Sequence, residues 1–501
     1  MNLHGIPAVF ALAVFAPLAP GQSWTGYSHD AQHTGVSAVA SQPLNNIHWS
    51  TPVDTVLQGT GGPLYIHYGT PIVTAANTVL VPQRTSSNNT YQINAFNGST
   101  GAPLYTLTTD YTPPPHDWIP SYGATLGSPS RYFYPGAGGT IHYRNTPDSI
   151  TGTSGQLAFY SPYSSNVTIS TPITADRFGN MYFGFIVTGT VTLSDGTVLT
   201  SGLARISAAG VGSWVSAYTL GGGASSPITI SQIPLNCAPA VNAAGTTLYV
   251  AVSNGGSSAG YLVAVNPTTL APVARTRLTD PETLDDAEIL DDSSAAPTIG
   301  PDGDVYYGVF ESACCSNHDR GWLLHFNSTL STPKLPGAFG WDTTATIVEK
   351  NLVPSYKGSS SYLLLTKYNN YKDTGGTGQN YVAITDPNVS MTDPITGVGV
   401  MNLVAGPGGT LMEQLGPTSD APPAGAVREW CINSAAIDPN TKSAIVNSED
   451  GVNYRWDFTS NTLSQSIRLT PGVGEAYTPT VIGPDGTVYA INDATLFAIG
   501  N

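Results

Sequence analysis

Charge is scarce in this sequence, and basic charge scarcer still: Asp, Glu, Lys and Arg make up 10% of the 501 residues, with 17 Lys and Arg against 33 Asp and Glu. A chain without basic patches offers nothing to a phosphate backbone or an anionic membrane surface, so nucleic acid and acidic lipid are excluded as partners. Long apolar runs are missing too. A spanning helix needs roughly 20 apolar residues, and the one candidate, residues 6–18 within MNLHGIPAVFALAVFAPLAPGQS, falls short of that. Small residues follow it, which is the pattern of a secretory signal, although no Lys or Arg precedes the run. The expectation is a signal at residues 1–21, export to a secreted or periplasmic location, and one mature domain over residues 22–501. Several catalytic signatures are absent as well: no Gly-x-Ser-x-Gly elbow, no phosphate-binding Gly-Lys-Ser/Thr loop, no dinucleotide fingerprint and no His-Glu-x-x-His zinc motif.

What is abundant is Gly, Pro, Ser, Thr, Asn and Tyr in a repeating order. TPIVTAANTVLVP from Thr70, STPITADRFGNMYFGF from Ser170, CAPAVNAAGTTLYVAV from Cys237, AAPTIGPDGDVYYGVF from Ala295 and YTPTVIGPDGTVYAI from Tyr477 share one rule. Each has a Pro, a short apolar strand, a turn rich in Gly or Asn, and a second strand rich in Val, Tyr and Phe. Asp and Gly in the turns at Pro301–Gly303 and Pro484–Gly486 accept the backbone angles of a tight reversal. Two further strands follow each hairpin, and four strands per unit at a period of roughly 40–60 residues is the pattern of propeller blades. The expected fold is therefore all-β, a β-propeller of eight four-stranded blades, with seven as the alternative. The last unit, residues 477–501, is one strand short, and NIHWSTPVD at residues 46–54 is expected to supply it and close the ring.

The segment SWTGYSHDAQHTGVS (Ser23–Ser37), followed closely by the repeats, resembles the start of the quinoprotein alcohol dehydrogenase-like propellers. NAFNGSTGAPLY (Asn94–Tyr105) is similar to the blade-end repeat of that family, whereas later blades such as VNPTTLAPVA have lost its Thr-Gly. The resemblance implies the propeller fold over nearly the whole mature chain; a fold of this kind hosts many functions.

In a propeller, the loops entering the innermost strands and the loops joining strands two and three open on one face, around the channel. That mapping gathers all four cysteines there: Cys314 and Cys315 between strands two and three of blade five, and Cys237 and Cys431 ahead of inner strands. Exported cysteines are usually oxidised. A bond between Cys314 and Cys315, or between Cys237 and one of them, are the pairings that remain open. The run Cys314-Cys315-x-x-x-x-Arg320-Gly321 is also similar to the motif with which quinoprotein methanol dehydrogenases set adjacent cysteines against pyrroloquinoline quinone (PQQ). That resemblance implies PQQ with calcium as cofactors. Expected ligand-binding residues on this face are Cys314, Cys315, Arg320, Trp341, Arg428, Glu429 and Trp430. His318, Asp319, Asp342 and Glu475 are the candidate acid–base groups, and Trp118, Tyr122 and Tyr477 add a possible stacking surface. An alternative for Asp319 and Arg320 is that they pair with each other to order the turn. The acidic run DPETLDDAEILDD offers Asp285, Asp286, Asp291 and Asp292 as hard oxygen ligands of the kind calcium takes, but it lacks the alternating Asp/Asn–Gly pattern of an EF-hand loop, and a solvated acidic loop is the alternative. Three functions follow: a propeller binding a small molecule, glycan or protein at the mouth; a PQQ- and calcium-dependent dehydrogenase of sugars or alcohols; and a polysaccharide lyase or hydrolase.

Overall fold

The computed structural model describes residues 23–57, 66–127, 131–416, 429–472 and 477–501. Eight antiparallel sheets follow one another along the chain, each beginning with a short inner strand: Ile72–Val73, Thr125–Gly127, Thr174–Ala175, Ala240–Val241, Thr298–Ile299, Thr346–Glu349, Ala436–Asp438 and Val481–Ile482. The second strand of each blade is its apolar heart. Leu248–Ser253 and Tyr362–Tyr368, for example, are buried almost throughout, as expected for strands covered on both faces by neighbouring blades. Outer strands such as Thr462–Arg468 instead alternate between exposed and half-buried residues. Blade five departs from the repeat. Its sheet has three strands, and the outer one is reduced to two isolated bridges, Leu323 to Gly337 and Phe326 to Pro333. Among the described residues, no helix is long and apolar enough to cross a membrane.

The ring is closed by Asn46–Pro52, which pairs antiparallel with Thr495–Gly500 as the outer strand of the last blade. Trp49 clasps that joint to blade one. Its Nε1 donates to Gly98 O at 2.7 Å, and its ring packs 5.5 Å from Phe96 and 5.9 Å from Tyr489.

The channel itself is filled by residues 24–37. Their backbone is laced to six of the eight blades: Trp24 N to Val73 O, Leu126 N to Thr25 O, Val241 N to Ala31 O, Ile299 N to Gln32 O, Ile347 N to Thr34 O, and Ile437 N to Gly35 O, all between 2.7 and 3.0 Å. Every buried amide needs a partner, and a segment curled on the axis supplies carbonyls that inner strands cannot find elsewhere. Asp30 holds the curl by accepting from Gln32 N at 2.9 Å and Thr34 N at 3.2 Å. His29 and His33 lie in this plug, His33 Nδ1 2.7 Å from Pro297 O. Gly35 lies at φ +67°, and a Cβ there would come within 2.6 Å of Thr346 Cγ2 and 3.0 Å of Ala435 O. Gly35→Ala is expected to lower stability by about 2–3 kcal/mol, from the left-handed backbone and the overpacking together, read as a lowered urea midpoint at unchanged slope.

Candidate functional site

Because strands alternate in direction, the loops before the inner strands and the loops between strands two and three share one end of the ring. Cys237, Asp342, Glu429 and Cys431 precede inner strands, and Cys314, Cys315, Lys367 and Glu449 lie at or beside turns between the second and third strands. The plug forms the floor of this mouth. The Tyr27 hydroxyl donates to Ser294 O at 2.6 Å and accepts from Asn433 Nδ2 at 2.7 Å, tying the floor to the loops of blades five and seven.

Above that floor sits a charge pair. Lys367 Nζ lies 3.3 Å from Asp342 Oδ2, both side chains 1% exposed. Asp342 is further fixed by Ser294, whose N–H and hydroxyl each donate at 2.8 Å. The ammonium also faces the rings of Tyr477, at 5.1 Å, and Phe339, at 5.7 Å, in cation–π geometry. Three rings from different blades then pack as a triangle: His67 and Trp118 at 5.6 Å, His67 and Tyr477 at 5.5 Å, Trp118 and Tyr477 at 5.9 Å. His67 Nε2 lies 2.9 Å from Asp292 O, and its Nδ1 is buried with no partner. Burial disfavours its charged form and holds the imidazole below its ordinary pKa. Trp118 N donates to Asp292 Oδ1 at 3.1 Å. Beside this loop a cleft of about 460 Å³ opens between His116, Asp117, Leu235, Ser257, Asp291 and Asp292.

Lys367 also acts on a second acidic group. The ligand atoms of Glu429, Cys431 and Glu449 lie within 4.8 Å of one another, with Cys431 Sγ donating to Glu449 Oε2 at 3.2 Å. Burial, and after it the Glu449 carboxylate, push Glu429 up to about 7 against the pull of Lys367. A carboxyl in that range can take or give a proton at neutral pH. Its folded pKa lies above the unfolded value of 4.5, so the native state keeps a proton that the unfolded chain has already released. The corresponding stability is complete below pH 4.5 and is lost as pH rises towards 7. Glu429→Gln is expected to remove this slope and to be more stable than the parent above pH 7 by about 3 kcal/mol, measured as unfolding free energy at a series of pH values.

The remaining sequence-derived candidates divide sharply. Arg320 does not face the mouth. It is 1% exposed, its guanidinium bonded to Asp393 at 2.7 and 3.2 Å and its Nε to Asn317 O at 3.1 Å. It orders the turn, through Asp393 of blade six and not through Asp319. Trp430 is fully buried, its Nε1 donating to Gln414 O at 3.2 Å. Tyr122 stacks on Tyr91 at 4.8 Å inside the core. Trp341 packs edge-on against Phe310 at 5.6 Å. His318 Nδ1 lies 3.2 Å from Asn370 Oδ1, joining the turns of blades five and six. Arg428, Glu475 and the leader at 1–21 lie outside the described residues.

The expected disulfides are not formed. Cys237 is fully buried, and burial pushes its thiol up to about 11, the signature of an inert core cysteine, whereas Cys314 stands on an exposed turn. The calcium candidates are dispersed. Asp286 is bonded to Arg277, with Arg277 Nε 2.6 Å from its Oδ1, and Asp291 accepts from Gly256 N at 2.7 Å and Gln232 Nε2 at 3.0 Å. Asp292 turns to Trp118, and Asp285 is exposed, so these four carboxylates build loops and do not converge on an ion. Lys367, His67 and Glu449 were not singled out by sequence. The signal available for Lys367 was a lone lysine ending the apolar strand YLLLTKY.

The described residues form an eight-bladed propeller with a plugged channel and a polar mouth. No family model matches the sequence, and no curated protein is similar to it. Among solved structures the chain is similar to a europium-containing methanol dehydrogenase, at 11% identity and TM-score 0.54, over 94% of this chain and 89% of that one. It is also similar to the quinohemoprotein alcohol dehydrogenase of Comamonas testosteroni, at 12% identity and TM-score 0.53, over 96% of this chain and 81% of that one. These likenesses show the fold alone.

Proposed function

We propose that the protein binds a polyhydroxylated ligand of the sugar class at the channel mouth. The observation that supports this reading is the His67–Trp118–Tyr477 triangle, held from within by the buried Lys367–Asp342 pair through the Lys367 contact with the Tyr477 ring, with the Glu429 carboxyl nearby. A ring polyol stacks its C–H face on aromatic rings and gives its hydroxyl protons to carboxylates, and a few such polar groups in a mostly apolar site fix orientation. Asp292, Asp342, Glu429 and Glu449 gather here around Lys367, which is already paired with Asp342. PQQ, with three carboxylates, is the poorer occupant of such a site. The residues that the resemblance assigns to it also fail to form its cradle, since Arg320 is committed to Asp393 and the adjacent cysteines are not joined. The apolar leader supports export, which would place this mouth outside the cytoplasm.

The test is a thermal-unfolding panel of neutral sugars, uronates, polyols, and PQQ with calcium, followed by calorimetry on the best ligand. Neutral sugars are expected to raise the midpoint, by an amount lost in Trp118→Ala. Stabilisation by PQQ with calcium and by no sugar would overturn the reading in favour of a dehydrogenase. Glu429 favours a second reading on the same ligand, hydrolysis or elimination with this carboxyl exchanging the proton. Release of reducing ends or unsaturated products, lost in Glu429→Gln while binding persists, is the result that would establish it.

A further inference from the structure

The turn that carries the adjacent cysteines is built with more care than an exposed loop needs. Beneath it, Glu311 is 1% exposed and accepts three backbone N–H groups: Asn317 at 3.1 Å, Asp319 at 3.2 Å and Gly321 at 3.3 Å. Arg320 pins the same turn to blade six through Asp393, and Asn317 Nδ2 donates to Gly321 O at 2.8 Å. Cys315, His318, Asp319 and Gly321 all adopt left-handed backbone, at φ 67°, 57°, 55° and 54°. The curl brings Cys314 Sγ, Cys315 Sγ and an Asp319 carboxylate oxygen within 4.8 Å of one another. Asp319 Oδ1 is buried and has no hydrogen-bond partner. A buried oxygen without a donor, in a carboxyl that lies beside two thiols, is costly as it stands, and its cost is removed by a cation.

We propose that Cys314, Cys315 and Asp319 form a binding site for a borderline-soft divalent metal ion of the zinc class. Two thiolates and one carboxylate select zinc and its heavier congener cadmium over calcium or magnesium, which take oxygen ligands. Zinc–sulfur bonds of about 2.3 Å and a zinc–oxygen bond of about 2.1 Å require ligand atoms roughly 3.5–4 Å apart, a spacing the three atoms reach by small rotamer adjustments. His318 is turned away to Asn370, which leaves a fourth position for water or an exchangeable ligand. Such an open position distinguishes a reactive or exchanging site from a closed structural one. Binding releases thiol protons to solvent, each thiol giving up one as its sulfur takes the metal.

The test uses the full chain reduced with a phosphine and kept free of oxygen. Cadmium titration is expected to raise the ultraviolet sulfur-to-metal charge-transfer band to saturation at one ion per chain, with proton release in weak buffer and displacement by zinc. Cys314→Ser/Cys315→Ser should abolish the band, and Asp319→Asn should weaken cadmium binding by about tenfold or more with the band retained. Cys431→Ser, which alters the other thiol–carboxylate cluster, should leave the band unchanged. A reduced protein that shows no band overturns the proposal. So does a band that survives in the double serine variant, or one lost instead with Cys431.

Discussion

Asp393→Asn is expected to destabilise the ring by about 3–5 kcal/mol, the range found when one partner of a buried ion pair is removed. Both members are out of water: the Arg320 side chain is 2% exposed and that of Asp393 0%. Burial works against the Asp393 charge, but the Arg320 bond and charge outweigh it, so the carboxyl sits below its ordinary pKa. The substitution keeps the shape and much of the bonding to Thr396, whose N–H and hydroxyl reach Asp393 Oδ2 at 3.0 and 2.9 Å. What it removes is the charge, which strands a guanidinium in the interior. Arg320→Met placed on top should recover part of the loss, and the coupling energy from the double-mutant cycle isolates the pair. Urea denaturation measures both. A single-variant loss below about 1 kcal/mol, the level of an exposed pair, would mean that water reaches the guanidinium.

How far the sequence announced this structure depends on the range of the interactions concerned. The blades were legible because each hairpin is local: an apolar pair of strands and a turn rich in Gly or Asn lie within about 15 residues, and the motif repeats. The closing strand was legible from a deficit, one strand missing at the C-terminus. The plug was not. Residues 24–37 contribute chiefly backbone carbonyls and amides to the inner strands, and backbone hydrogen bonding leaves no residue pattern to read. Arg320 was misassigned for a related reason. Its partner is 73 residues away on another blade, so the local string showed only Asp319 beside it. Tyr122 and Trp430 were placed at the mouth because they precede inner strands. Their rings turn into the packing between blades, where a large aromatic gains more by burial than at a wet rim. The acidic run misled in the other direction. A dense string of carboxylates offered ligands for an ion, yet successive side chains of an irregular loop point apart: Asp286, Asp291 and Asp292 each found its own donor, and Asp285 faces solvent. The face of the ring was readable from topology; which side chains turn towards the axis was not, because that depends on packing among blades distant in sequence.

Lys367→Met is expected to abolish ligand binding at the mouth and to lower stability by about 3–5 kcal/mol, because it strands Asp342. Asp342 keeps its two bonds from Ser294, but those are neutral donors and cannot replace an ammonium at 3.3 Å. Lys367 also acts across the mouth on Glu429, whose pKa it lowers. In its absence that carboxyl should titrate above 7, so the pH profile of any proton-coupled step should shift to higher pH. Scaffolding and recognition are separable in one variant pair. Lys367→Met/Asp342→Asn replaces the ion pair with neutral groups and should recover much of the stability, while binding remains lost and the Glu429 titration, followed by carbon NMR of the labelled carboxyl, shows the net effect of removing one cation and one anion. If the double variant binds the ligand as well as the parent, the pair is scaffold, and recognition must rest on the aromatic triangle and Glu429 alone.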